Sequence, residues 1–150
     1  MTELKPNVLF LCTGNSARSQ MAEGLLRQIA GDRFDAVSAG TEPKTLHPMA
    51  TEVMREIGID ISAQRSKDVS EFLASPIQCV VTVCDHAKQR CPIFPNASRY
   101  LHWSVEDPAA AQGSDQEKLA VFRRIRDELR GRIQQEFAGE PGKKAKTGNE

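Results

Sequence analysis

The sequence predicts an α/β domain: a four-stranded parallel sheet with helices on both faces. Three observations predict it. The runs Val8-Leu9-Phe10-Leu11 and Cys79-Val80-Val81-Thr82-Val83-Cys84 are apolar nearly throughout, as strands buried on both faces of a parallel sheet are. Segments with i, i+3, i+4 apolar spacing alternate with such runs, giving a βαβαβ order. The 150 residues suit one domain with its own core.

The elements follow in order. Residues 7–11 form the first strand. Residues 18–30 form a helix, with Met21, Ala22, Leu25, Leu26 and Ile29 on one face and Gly31 ending it. Asp35 to Ser38 is the second strand, closed by Ala39-Gly40, and Thr41 to Thr45 is a loop. His47-Pro48 starts a helix through Ile57, His47 serving as a cap, and Gly58 ends it. Asp60 to Ser62 is predicted to be extended and Ser66 to Leu73 a short helix. Cys79 to Cys84 is the third strand, with Cys79 as core filler at the end opposite Cys84. Asp85 to Arg90 can form one or two helical turns before Pro92 and Pro95. Tyr100 to Trp103 is the fourth strand, with His102-Trp103 as a packing feature. Asp107-Pro108 opens a loop containing Gly113, and Gln116 to Phe137 is a long amphipathic helix. The domain therefore spans residues 1–138, and residues 139–150, rich in Gly, Lys and Glu, are expected to be disordered.

Composition removes several function classes. Twenty basic residues balance twenty acidic ones, and only Lys143, Lys144 and Lys146 cluster, so no nucleic-acid surface is expected. No run approaches the roughly 20 apolar residues that cross a bilayer. The first strand is too short for a signal-peptide core, and a cytoplasmic protein is expected. Four cysteines, Cys12, Cys79, Cys84 and Cys91, could form two disulfides in a secreted chain, a reading weakened by the lack of a leader. Cys84 and Cys91 are spaced too widely for a close zinc pair. Redox chemistry fits better, and neither metal nor organic cofactor is expected.

Residues 12–19 read Cys-Thr-Gly-Asn-Ser-Ala-Arg-Ser, between the first strand and the first helix. Gly14 and Asn15 tolerate left-handed backbone angles, so the loop can turn its N–H groups inward as an anion nest. The helix behind it adds its positive dipole end, and Arg18 a fork for two oxygens. Thr13, Gly14, Asn15, Ser16, Ala17, Arg18 and Ser19 are thus the candidate oxyanion cradle. Ser19 can donate to the Cys12 sulfur. These fields are expected to lower the Cys12 pKa from about 8.5 to roughly 3.5–7.5, giving a thiolate nucleophile. A buried inert cysteine is the alternative. Ligands bind such sheets at the carboxyl ends of the strands. Cys12 ends strand one, Cys84 ends strand three and Asp107 follows strand four, so all three are expected on one edge.

CTGNSARSQMAEG, Ser38-Ala39-Gly40, VVTVCDHAKQRCP, HWSVEDPA and FRRIRDEL together resemble the thioredoxin-coupled arsenate reductases of the low-molecular-weight protein tyrosine phosphatase superfamily. The likeness covers roughly residues 6 to 137, and the pair Cys84 and Cys91 marks the reductase branch. It implies a low-molecular-weight phosphotyrosine phosphatase-like fold, and arsenate, phosphate or sulfate as oxyanion ligands. It also implies catalysis by Cys12, Arg18, Cys84, Cys91 and Asp107. Cys12 would attack arsenic while Asp107 protonates the leaving oxygen. Cys84 would then form a disulfide with Cys12, and Cys91 would take it over for reduction by thioredoxin, or alternatively by glutaredoxin with glutathione. Seven residues of helix span about 10.5 Å, whereas a disulfide needs Cα atoms within about 7 Å, so the Cys84 to Cys91 segment is expected to unwind.

By the same likeness, Glu23 and Ser38 support the loop through Asn15. Lys67 stands where some relatives complete a potassium site, so its ammonium is expected to replace the ion. Ala17 stands where many relatives carry a further cysteine. His86 could tune the redox pair or be an ordinary loop histidine. Two other functions stay open: a phosphotyrosine phosphatase, disfavoured by the Ala-Ala-Ala-Gln-Gly-Ser that follows Pro108, and a non-catalytic oxyanion or redox sensor.

Overall fold

A computed structural model describes residues 5–138. Asn7–Cys12 (β1), Asp35–Gly40 (β2), Ile77–Thr82 (β3) and Arg99–His102 (β4) form one parallel sheet in the order β2-β1-β3-β4. The chain leaves β1 to one side for β2 and to the other for β3. That switch opens a crevice at the carboxyl ends of β1 and β3. Val8 to Leu11 of β1 are fully buried, as a central strand covered on both faces requires.

The helices are Arg18–Ala30 (α1), Pro48–Glu56 (α2), Asp85–Gln89 (α3) and Asp115–Phe137 (α4). α1 packs on β1, β2 and α4, and α2 lies against α1 and α4. The apolar period of α1 predicts its span as observed. α4 starts at Asp115, where Ser114 and Glu117 form a reciprocal capping box. His47 caps α2, its Nδ1 accepting from Met49 N at 3.1 Å. Phe137 closes the core edge-on to Phe34 at 5.2 Å and to Phe10 at 6.5 Å.

Other expectations are corrected. β2 continues to Gly40 because Cys12 and Gly40 still pair. β3 begins and ends two residues earlier than predicted, so Cys79 is its third residue and Cys84 lies beyond it. β4 is likewise one residue early. Asp60 to Ser62 is not extended: Asp60 Oδ1 accepts from Ser62 N and turns the chain. The helix predicted over 66–73 shrinks to a 3₁₀ turn, Val69–Phe72. Residues 67 and 68 are instead drawn alongside β2, where Gly40 N donates to the Lys67 carbonyl. Residues 139–150, predicted to be disordered, lie outside the described residues. Among the described residues no helix is long and apolar enough to cross a membrane.

Candidate active site

β1 delivers Cys12 to the crevice and the next five residues turn into α1. Among the described residues, Asn15 alone of the non-glycine residues has a positive φ, 48°. Gly14 does not, so the sharp turn falls on Asn15, not on both residues as expected. Gly40 serves the loop by its smallness: a Cβ there would lie 2.5 Å from the Thr13 carbonyl oxygen.

Cys12 is 2% exposed. Ser19 Oγ lies 2.9 Å from it and Asn15 N donates to it at 3.2 Å. Ser19 Oγ itself accepts from Asn15 Nδ2 at 2.7 Å, which leaves the Ser19 proton for the sulfur. Burial nevertheless pushes the Cys12 thiol above its ordinary value. The Ser19 and Asn15 hydrogen bonds and the Arg18 charge pull it down without overcoming the loss of water. Burial of the sulfur thus reverses the lowering expected from the motif.

A cleft of about 300 Å³ opens over the sulfur. Thr13, Gly14, Ser16, Ala17 and Arg18 of the loop line it, facing Asp107. Asn15 and Ser19, expected in the cradle, are instead buried beneath it as supports of the sulfur and the turn. Arg18 Nη1 donates to the Val105 carbonyl at 3.0 Å, and its Nη2 lies 3.7 Å from Asp107 Oδ2. Asp107 Oδ1 accepts from Ala109 N at 3.0 Å, which fixes the carboxylate at the start of the 3₁₀ turn Pro108–Ala110. Lys44, Thr45 and His47 complete the wall. No local motif marks Lys44, which is drawn in by a backbone bond from its N–H to the Gly14 carbonyl. Burial lowers the His47 pKa, outweighing the Asp107 carboxylate.

Beneath the loop a polar chain runs outward. Asn15 Nδ2 donates to Ser38 Oγ at 3.0 Å and Ser38 Oγ donates to Glu23 Oε1 at 2.5 Å. Lys67 Nζ lies 3.6 Å from the same Glu23 oxygen and donates to the Arg65 carbonyl, while its backbone N–H donates to Asn15 Oδ1. Arg27 takes the other Glu23 oxygen at 2.5 Å. Sequence reasoning named Glu23, Ser38 and Lys67 but missed Arg27, although Glu23 and Arg27 stand in the helical i, i+4 relation. It also missed Gln20, whose Nε2 donates to both Asn15 oxygens.

Cys84 is brought to the site and Cys91 is not. Cys84 caps α3, its Sγ accepting from Ala87 N at 3.4 Å. Thr13 Oγ1 lies 3.3 Å from that sulfur and 3.0 Å from His86 Nδ1. The Cys91 thiol donates to the Pro92 carbonyl and shares a separate pocket with Thr82 and His102. Burial raises its pKa. His102 is more than packing: it bridges Thr82 Oγ1 at 2.7 Å and Asp85 Oδ1 at 2.8 Å, linking β3 and β4 to the first turn of α3. No group of three or more metal-ligating side chains gathers among the described residues.

A buried cysteine under an Arg- and Asp-walled cleft, with a second thiol against Thr13 of its wall, suits nucleophilic attack on a tetrahedral oxyanion followed by thiol exchange. The chain is similar to proteins of one family. The low molecular weight phosphotyrosine protein phosphatase family matches residues 7–145. An arsenate reductase of Halalkalibacterium halodurans is 50% identical over 129 residues, 86% of this chain and 93% of that one. A solved arsenate reductase in its phosphate-binding state is 33% identical, covering 86% of this chain and 94% of its own, with a TM-score of 0.74. A thioredoxin-dependent arsenate reductase of Corynebacterium glutamicum is 31% identical, covering 89% of this chain and 64% of its own, with a TM-score of 0.63.

Proposed function

The chain belongs to the low molecular weight phosphotyrosine protein phosphatase family, and from that premise we propose that it is an arsenate reductase working through Cys12, Cys84 and Cys91. Arsenate enters the cleft with its oxygens on the loop amides. Arg18 turns from Val105 toward two of them. The Cys12 thiolate attacks arsenic in line, and the displaced oxygen takes its proton from Asp107. Cys84 then attacks the Cys12 sulfur. The sulfur–arsenic bond breaks, its electron pair stays on arsenic, and arsenite leaves behind a Cys12–Cys84 disulfide.

The observation that carries this reading is the position of Cys84, one Thr13 hydroxyl away from the loop that begins at Cys12. A hydrolase needs no second thiol there. The exchange also removes the cap of α3, since a Cys84 sulfur bonded to Cys12 no longer serves Ala87 N. With its cap gone, this five-residue helix is left to the bonds of Asp85 with His102 and Ser104 and of His86 with Thr13. Cys91 can then leave the Pro92 carbonyl and attack Cys84, carrying the disulfide to the surface. Thioredoxin is the proposed reductant, supported by the Corynebacterium glutamicum neighbour; glutaredoxin with glutathione is the alternative. Such a partner suits a cytoplasmic protein. No metal or organic cofactor enters the scheme.

A weak phosphatase activity accompanies this one, because Cys12, Arg18 and Asp107 suffice for it. Among the described residues, no Phe, Tyr or Trp lines the cleft to grip a phosphotyrosine ring. The test is steady-state arsenite release with thioredoxin, thioredoxin reductase and NADPH, then with glutaredoxin and glutathione. Catalytic turnover with the first system supports the proposal. Stoichiometric oxyanion binding without arsenite in either system removes it.

A further inference from the structure

We propose that Thr13, His86 and Glu42 form a proton relay that activates Cys84, the second sulfur of the reaction proposed above, on which this inference rests. Cys84 is buried, 7% exposed, so water is poorly placed to take its proton. Thr13 Oγ1 lies between that sulfur, at 3.3 Å, and His86 Nδ1, at 3.0 Å. The far nitrogen of the ring, Nε2, lies 3.9 Å from Glu42 Oε2. A carboxylate on that side favours the tautomer with its proton on Nε2. Nδ1 is then a lone pair aimed at the Thr13 hydroxyl.

The parts are held by independent elements. The Glu42 backbone N–H donates to the Thr13 carbonyl at 2.9 Å, so the acid and the hydroxyl are tied together through main chain. His86 sits in the first turn of α3, the helix that Cys84 caps. Asp85 is taken by His102 and Ser104, Lys88 lines the pocket of Cys91, and Lys44 lies along Gly14.

The proton balance closes. The Cys84 S–H proton passes to Thr13 Oγ1 as the Thr13 hydroxyl proton passes to His86 Nδ1, and Glu42 faces the imidazolium that results. The Cys84 sulfur bonds to the Cys12 sulfur, the Cys12–arsenic bond breaks, and arsenic(V) becomes arsenic(III). His86 and Glu42 touch neither arsenic nor a reacting sulfur; they position the Thr13 hydroxyl and take the proton it hands on.

The test reads Cys84 directly. Arsenate-free protein is treated with methyl methanethiosulfonate from pH 5.5 to 10, and Cys84 modification is followed by peptide mass. His86→Gln should slow Cys84 at pH 7 by roughly tenfold and rejoin the wild-type rate in alkali, as expected when a proton acceptor is lost. Glu42→Gln, at an exposed position that leaves the fold intact, should shift the profile the same way by a smaller amount. Cys84 profiles that superimpose on wild type in both variants overturn the relay. Failure of wild-type protein to reduce arsenate would sink the proposed function instead, since this readout uses no arsenate.

Discussion

Asn15 and Lys67 are joined twice over: the Lys67 backbone N–H donates to Asn15 Oδ1 at 2.8 Å, and the Lys67 ammonium faces Glu23, to which Asn15 is linked through Ser38. The residue that makes the sharp turn of the oxyanion loop is thereby locked by a cation that is part of the chain. Desolvation lowers the Lys67 pKa while Glu23 opposes it. Arg27 on the other Glu23 oxygen means that losing Lys67 would not leave the carboxylate alone. Lys67→Ala should therefore cost about 1–2 kcal/mol, between an exposed and a buried pair. It should also weaken sulfate and arsenate binding several-fold. Wild-type arsenate affinity, titrated in potassium against sodium chloride at constant ionic strength, should not distinguish the two ions; a several-fold potassium preference would show that the ammonium does not fill the cation position.

The three thiols should separate by kind of failure. Cys84→Ser permits one covalent event at Cys12 and no arsenite turnover. Cys91→Ser releases one equivalent of arsenite and stalls as the Cys12–Cys84 disulfide, readable by mass spectrometry. Cys79→Ser stays active, since Cys79 lies within β3 away from the cleft. Repeated turnover by Cys91→Ser with thioredoxin alone would remove the third thiol from the sequence.

Asp107→Asn should slow the chemical step by roughly 10²–10⁴-fold, the usual range for a general acid. Sulfate binding should change little, or tighten, because Arg18 loses the carboxylate 3.7 Å away that competes with the anion. Rapid-quench measurement of the first arsenite equivalent, beside a sulfate titration, separates the two effects.

The Ser19 hydroxyl stabilises the charged form of Cys12, so its removal raises a pKa that burial has already raised. Ser19→Ala should cut Cys12 alkylation at pH 7 by about tenfold or more, as expected for loss of one hydrogen bond to a charged group. The whole rate–pH curve should move to higher pH. A curve that stays put would assign stabilisation of the thiolate to the Asn15 amide and Arg18 alone.

Asp85 is held below the ordinary carboxylate value first by His102 and then by Ser104. A depressed carboxyl contributes stability above its unfolded value, about 3.9, and loses it as pH falls through the folded one. The protection factors of the α3 amides, exchange rates corrected for the intrinsic effect of pH, should therefore fall on acidification in this window, and His102→Ala should flatten the dependence. Unchanged α3 protection in His102→Ala would mean that the bridge does not hold the helix.

Local signals were legible where one period or one motif decided the outcome. The spacing of Met21, Leu25 and Ile29 is enough for α1, and the motif from Cys12 to Ser19 is enough to locate the cleft. Convergence of Cys12, Cys84 and Asp107 follows from parallel topology alone. Contacts between loops were not legible. Thr13 meets His86 across 73 positions, and Lys44 reaches the cleft through a backbone bond that any residue could make. The balance at Cys12 is hidden for a related reason: a motif displays its charges and dipoles, but the depth at which a fold buries the sulfur is set by everything packed around it.

The cap of α3 has one more consequence, for chemistry the cell does not want. A sulfur that is both buried and engaged with Ala87 N is poorly available to peroxide, whereas the same sulfur on a frayed segment is an ordinary surface thiol. Shelf life should therefore track the integrity of five residues. Mild heat or denaturant that loosens α3 well below global unfolding should inactivate the protein in air, and the damage should begin at Cys84.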